Sequence, residues 1–277
     1  MRDRGMWLFK LIVVFLVAYV AVVAVMYAAQ TRMLFPTKMA AGELPLPPSA
    51  ARLEVETPDG ERLHGVHIAP AQTPSDDRLV ILGFGGNAWN AEALAAYLHD
   101  LFPDVDVVAF HYRGYRPSTG QPSADALLAD APVVHDHVIA ALNTERVVAV
   151  GFSIGSGVAA HIASRRPLAG LIVVSPFDSL EALARQLYPW APVRWLLRHH
   201  VSPAEDVRGL NTPIALIAAE RDTIIPPGRT DAFRQAVPAL VLDRTISDAG
   251  HNDLYGQLEF HMAMAEALAL ISSAATD

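Results

Sequence analysis

Val147-Val148-Ala149-Val150-Gly151-Phe152-Ser153-Ile154-Gly155-Ser156-Gly157-Val158-Ala159-Ala160 reads as a strand, a sharp turn and a helix, with a serine at the apex of the turn. The apolar run ahead of the turn has the character of a strand buried on both faces. Small residues flank the serine because its backbone must take a strained conformation while neighbouring chains pass close by. Such a turn lifts the Ser153 hydroxyl above the sheet edge and sets the first amides of a helix beneath it, where they can stabilise a developing oxyanion. A glycine-rich turn with an idle serine is the rival reading. G-x-S-x-G alone does not separate the two; a buried strand before it and a helix after it favour the nucleophile.

Outward from this turn, the chain alternates between strand and helix patterns. Residues 53–57 alternate polar and apolar, Pro58-Asp59-Gly60 makes a turn, and 63–68 reads as a second strand, so the two predict an antiparallel hairpin. Further strands are expected at 79–82, 105–110, 147–151, 170–175, 213–219 and 239–243. Helices are expected at 91–101, 123–142, 155–165, 228–236 and 254–273, with Pro132 a potential kink in the second. A hairpin followed by repeated β-α units predicts an α/β fold, a mostly parallel sheet with helices on both faces. The segment 178–212, with Tyr188-Pro189-Trp190-Ala191-Pro192 and Trp195, breaks this rhythm. It is a candidate lid or substrate wall, with ordinary packing the alternative.

A serine hydroxyl needs a base to take its proton, and the base needs an acid to orient it. Glu220-Arg221-Asp222-Thr223 follows the strand 213–219, and Asp248-Ala249-Gly250-His251-Asn252-Asp253 follows 239–243. The order Ser153, Asp222, His251 is the one expected when the nucleophile sits on such a turn. Catalytic groups in open parallel sheets gather beyond the carboxyl ends of the strands, where all three can meet. Asp178, in Ser175-Pro176-Phe177-Asp178, is the main competitor for the acid, and Glu220, Asp248 and Asp253 are nearby; the last two are expected to cap the final helix or its approach. The oxyanion donors are expected to be the backbone amides of Ile154 and Asn87, the latter in the loop Gly83-Phe84-Gly85-Gly86-Asn87-Ala88-Trp89-Asn90. That loop lacks the G-x-G-x-x-G spacing and the following Lys-Ser/Thr of a phosphate cradle. Tyr112-Arg113-Gly114-Tyr115 is read as a structural loop beside the site, with Arg113 ordering it. His135 and His137 lie two apart on a helix and point to different faces, and His199-His200 has no ligand spacing. No metal and no cofactor is assigned.

The 277 residues suffice for one large core, and the absence of cysteine excludes disulfides, thiolate metal sites and a cysteine nucleophile. Residues 11–30 hold no formal charge and match the roughly 20 residues of a membrane-spanning helix. A cleaved signal peptide is the alternative, but its apolar core is usually shorter and ends in small residues at spaced positions. Arg2, Arg4 and Lys10 precede the span and Arg32 and Lys38 follow it, which favours an N-terminus in the cytoplasm and the body outside, in the periplasm if the source is bacterial. Beyond residue 40 the chain carries 28 acidic and 16 basic residues, a net charge near −12, which argues against nucleic acid as a partner. The expected organisation is a tail at 1–10, a signal-anchor helix at 11–30, a linker at 31–50 and one domain at 51–277.

Taken together, these residues resemble the α/β-hydrolase superfamily, and within it the single-pass, membrane-anchored serine hydrolases of lysophospholipase and depalmitoylase type. The carrying motifs are Gly86-Asn87-Ala88 with Asn90, Tyr112-Arg113-Gly114-Tyr115, Gly151-Phe152-Ser153-Ile154-Gly155, Ser175-Pro176-Phe177, Asp222 with Ile225-Pro226, and Gly250-His251-Asn252-Asp253. The resemblance implies an α/β-hydrolase fold behind one transmembrane helix, a small-molecule or lipid-like acyl ester as substrate, and cleavage of esters or thioesters. Relatives of this type usually have histidine where this chain has Gly85, and often glycine where it has Trp89. These departures imply altered loop rigidity and a large ring near the mouth of the site. A serine peptidase of the same fold, or a catalytically silent membrane-tethered binding module, are the alternatives.

Overall fold

The computed structural model describes residues 2–40, 42, 45–70, 78–238 and 240–274. In chain order the elements are α1 (Arg2–Leu34), β1 (Ala50–Glu56), β2 (Arg62–Ile68), β3 (Leu79–Phe84), α2 (Ala91–Leu101), β4 (Asp106–Phe110), α3 (Ala124–Leu142), β5 (Arg146–Phe152) and α4 (Ile154–Ala163). There follow β6 (Gly170–Val174), α5 (Leu180–Leu187), α6 (Val193–Leu196), α7 (Pro203–Asp206), β7 (Ile214–Ala219), α8 (Pro227–Arg234), β8 (Leu240–Ile246) and α9 (Leu258–Ala274). Among the described residues, eight strands form one sheet in the order β1-β2-β4-β3-β5-β6-β7-β8. β1 and β2 pair antiparallel, β2 meets β4 antiparallel, and every later pair is parallel.

Side chains of a strand alternate between the two faces of a sheet. Val147 and Ala149 therefore join one core with α3, α4 and α8, whereas Val148 and Val150 join the other with α2 and α9. This is why the strands read as continuous apolar runs. Pro132 lies inside the single helix α3. The C-terminal stretch begins with a 3-10 turn at Leu254–Gly256 and becomes α-helical at Leu258, later than the expected 254. The N-terminal helix runs past Gln30 to Leu34, so four residues read as linker are helical. It ends just ahead of Pro36, because a proline disfavours helical geometry in the residue before it. Gly5–Leu34 is long and apolar enough to cross a membrane.

At the far end of the sheet, Asp106 is fully buried and accepts hydrogen bonds at 2.6 Å from Arg78 Nε and Nη2, and lies 2.5 Å from His67 Nε2. Burial alone would raise its pKa, but Arg78 and His67 outweigh burial and hold it below the ordinary value. An unfolded carboxyl titrates near ~3.9, so the stability this group adds is present above that pH and is lost as the pH falls through the folded value. Asp106→Asn is therefore expected to destabilise the protein by about 3 kcal/mol at neutral pH, with the gap to wild type closing below about pH 4. Thermal melts of the detergent-solubilised protein across that range check this; a gap independent of pH would refute it.

Candidate active site

The turn between β5 and α4 holds Ser153 at φ 52° and ψ −119°, a conformation that favours glycine and costs a serine roughly 1–3 kcal/mol. Close packing enforces it. A Cβ on Gly151 would stand 2.4 Å from Gly155 O, and a Cβ on Gly155 would stand 2.1 Å from Phe84 O. Hydrogen bonds from Ser153 N to Val174 O at 2.9 Å and from Ser156 N to Ser153 O at 2.9 Å fix the turn on both sides.

His251 sits on the loop after β8, and its Nδ1 lies 2.7 Å from Oδ2 of Asp222, which follows β7. Asp222 is itself fixed, since its Oδ1 accepts from Ile224 N at 2.9 Å and Ile225 N at 2.7 Å. Burial would raise the pKa of this carboxyl, but the His251 hydrogen bond and charge, the Ile225 amide and the neighbouring Ser175 hydroxyl hold it below the ordinary range. An Nδ1–H donated to Asp222 leaves the Nε2 lone pair of His251 free to act as a base.

The rival carboxylates are engaged elsewhere. Asp178 pairs with Arg229 at 3.1 Å. Glu220 accepts from Asp248 N at 2.9 Å, and Asp248 pairs with Arg221 rather than capping the last helix. Asp253 accepts from Gly250 N at 2.6 Å and so braces the His251 loop at its start.

Ser153, Ile154, Asn87 and His251 line one cavity of about 530 Å³, with Asp222 behind His251. Among the described residues the Ser153 hydroxyl makes no hydrogen bond to the His251 ring; such bonds often tighten only when substrate binds. The loop 83–90, expected to carry an oxyanion donor, passes close to the serine, with the Cβ position of Gly86 at 3.8 Å from Ser153 Cβ. The loop is held from behind by two phenols, Tyr112 Oη donating to Gly85 O at 2.9 Å and Tyr115 Oη donating to Asn87 O at 2.7 Å. Within the loop, Trp89 N donates to Gly86 O at 3.1 Å and closes a tight turn over Asn87 and Ala88. These two tyrosines were read only as part of a structural loop, and Arg113 between them does order it, pairing with Asp130 and Asp59. Asn90 caps α2, its Oδ1 accepting from Glu92 N at 2.8 Å, and its Nδ2 donates to Ala40 O at 3.1 Å, which ties the linker to the loop.

Trp89 does not stand clear at the mouth as a free ring. Its indole packs 4.9 Å from Phe152 and 5.2 Å from Tyr255, with one edge on the cavity. The two departures noted in the sequence are linked, because a Cβ at Gly85 would stand 2.9 Å from Trp89 Cβ. Among the described residues, no group of three or more metal-ligating side chains is gathered.

The sequence profile of the α/β hydrolase fold matches residues 79–211. A Mycobacterium tuberculosis relative, the uncharacterized protein MT2364, is 32% identical over 251 residues, spanning 87% of this chain and 88% of its own length. The chain belongs to the α/β-hydrolase fold family. Among solved structures, an α/β hydrolase from Vibrio vulnificus superposes with a TM-score of 0.68 at 18% identity, over 86% of this chain and 92% of that one. A bacterial membrane phospholipase A superposes with a TM-score of 0.61 at 16% identity and covers 98% of this chain and 99% of its own, so the match extends into the N-terminal helix. In this α/β hydrolase Ser153, Asp222 and His251 all follow the carboxyl ends of strands, the face where open α/β sheets place ligands.

Proposed function

We propose that the protein is a membrane-anchored serine hydrolase that cleaves carboxylic esters or thioesters through an acyl-enzyme. The observation that carries this reading is the 2.7 Å contact between His251 Nδ1 and Asp222 Oδ2 in the cavity that Ser153 lines. In this scheme Ser153 Oγ bonds to the acyl carbon as its proton passes to His251 Nε2. Asp222 keeps the imidazole in the required tautomer and stabilises its positive charge. The bond to the leaving oxygen or sulfur then breaks, and that atom takes the proton from His251. Water, deprotonated by the same nitrogen, releases the acid and restores Ser153. The amides of Ile154 and Asn87 hold the oxyanion, each lowering the barrier by about 3 kcal/mol. The reaction uses no cofactor.

The helix Gly5–Leu34 serves as the anchor, with the N-terminus in the cytoplasm and the catalytic domain on the outer side of the membrane. One fold neighbour that matches along nearly the whole chain is a membrane phospholipase A, which supports a membrane setting for this chain.

A fluorophosphonate phosphonylates an activated serine without needing the true substrate. The wild-type protein is expected to be labelled on Ser153, as identified by peptide mass spectrometry. Asp222→Asn is expected to slow labelling by about 10⁴-fold, because the amide cannot hold the same tautomer. No labelling of wild type, or labelling at another residue, would sink the proposal.

A further inference from the structure

The anchor helix and the 178–212 insertion are bonded to each other over a long stretch. Tyr19 Oη donates to Trp190 O at 3.0 Å, and Gln30 Nε2 donates to Leu196 O at 3.1 Å while its Oε1 accepts from Arg198 N at 2.8 Å. Thr31 Oγ1 lies 2.9 Å from His199 Nε2, and the Arg198 guanidinium stacks 4.9 Å from the centre of the Tyr27 ring. A helix the length of Gly5–Leu34 spans about 45 Å, and a bilayer's hydrocarbon core is about 30 Å thick. The charge-free stretch 11–30 fills such a core, so Gln30 and Thr31 meet the insertion where the helix leaves it.

Between the helix and the insertion runs an apolar cleft of about 230 Å³, walled by Met26 and Met33 on one side and by Ala184 and Val193 on the other. Leu34, Leu180, Leu183 and Leu187 line both this cleft and the cavity that holds Ser153 and His251, so the two spaces share one wall of leucine side chains. Its polar lining residues are Tyr27, Gln30 and Tyr188, and the Gln30 amide is bonded on both ends. On the insertion, Trp190 and Trp195 are 47% and 81% exposed, and Trp190 packs on Tyr19 within the charge-free span of the helix.

We propose that this cleft receives the hydrocarbon tail of the acyl group transferred to Ser153. The substrates are then long-chain acyl esters or thioesters drawn from the membrane, and α1 is one wall of the substrate site as well as the anchor. The inference rests on Ser153 being the nucleophile. A flexible hydrocarbon matches the setting: no charged side chain lines the cleft, its walls are mostly aliphatic, and it lies against both the bilayer-spanning helix and the catalytic cavity.

Ala184 faces the cleft and does not line the catalytic cavity. Ala184→Trp is expected to lower the ratio of kcat/KM for p-nitrophenyl hexadecanoate to that for p-nitrophenyl butanoate by tenfold or more, measured on the full-length protein in one detergent. A ratio within twofold of wild type overturns the inference while leaving Ser153 in its role. Failure of wild type to turn over either ester removes both readings. A second measurement avoids substitution altogether. A hexadecyl fluorophosphonate with a diazirine at its tail, bound to wild type, is expected to crosslink on irradiation within residues 23–34 and 184–197. Crosslinks confined to residues 224–255, or to a second copy of the chain, overturn the inference.

Discussion

Ser153→Ala is expected to lower kcat for p-nitrophenyl esters by roughly 10⁶-fold, leaving only the residual catalysis of the oxyanion donors and binding. KM should change little, because the hydroxyl acts on the bond-making step. Stability should change by less than about 1 kcal/mol, since the Ser153 hydroxyl has no hydrogen-bond partner among the described residues and alanine inherits the same backbone. Ser153→Gly separates chemistry from folding further. Glycine is not penalised at φ 52°, so this variant is expected to be equally inactive yet to melt higher than wild type. Ester kinetics and thermal melts on the three proteins check both statements. Appreciable turnover by Ser153→Ala would remove the serine from the mechanism.

Gly155→Ala is expected to have the largest effect on stability and a large one on rate. The added methyl would stand 2.1 Å from Phe84 O and 2.5 Å from Gly85 O. Both are backbone atoms, at the end of β3 and the start of the oxyanion loop, so no flexible side chain can yield. Either α4 or the loop must move, at a cost of about 3 kcal/mol or more. Because the loop carries the Asn87 amide, a displacement near 1 Å is enough to lose about 100-fold in kcat. A melt and an ester rate measured together test this, and a variant matching wild type in both would show that the turn has room that its geometry denies.

The sheet was legible because its signals are local. Runs such as Val147-Val148-Ala149-Val150 and the alternation around Pro58-Asp59-Gly60 depend on neighbours in sequence, and β5 and the β1-β2 hairpin follow them closely. The choice among Asp178, Glu220, Asp222, Asp248 and Asp253 was argued from loop order. What distinguishes Asp222 physically is the pair of amides, from Ile224 and Ile225, that turns its other oxygen toward His251. Tyr112 and Tyr115 are legible in the sequence as part of a loop beside the site, but not what they hold, because only the fold brings their hydroxyls to carbonyls 27 and 28 residues away in sequence. The bonds between Gln30 and the 196–198 stretch were equally invisible. Gln30 closes the charge-free run and Thr31 opens the stretch read as linker, whereas in the fold they meet partners up to 168 residues distant.

The contact between positions 85 and 89 also limits how this loop can change over time. With Trp89 in place, any side chain at 85 begins with a Cβ only 2.9 Å from the Trp89 Cβ. Glycine at 85, by contrast, tolerates small or large residues at 89 and gives up only some loop stiffness. A lineage passing from a histidine-glycine arrangement to this glycine-tryptophan one therefore has an allowed order of steps, with position 85 emptied before position 89 is filled. The reverse passage must run backwards along the same route. The two positions are coupled through this one contact, so a residue placed at one of them has to be judged together with its counterpart.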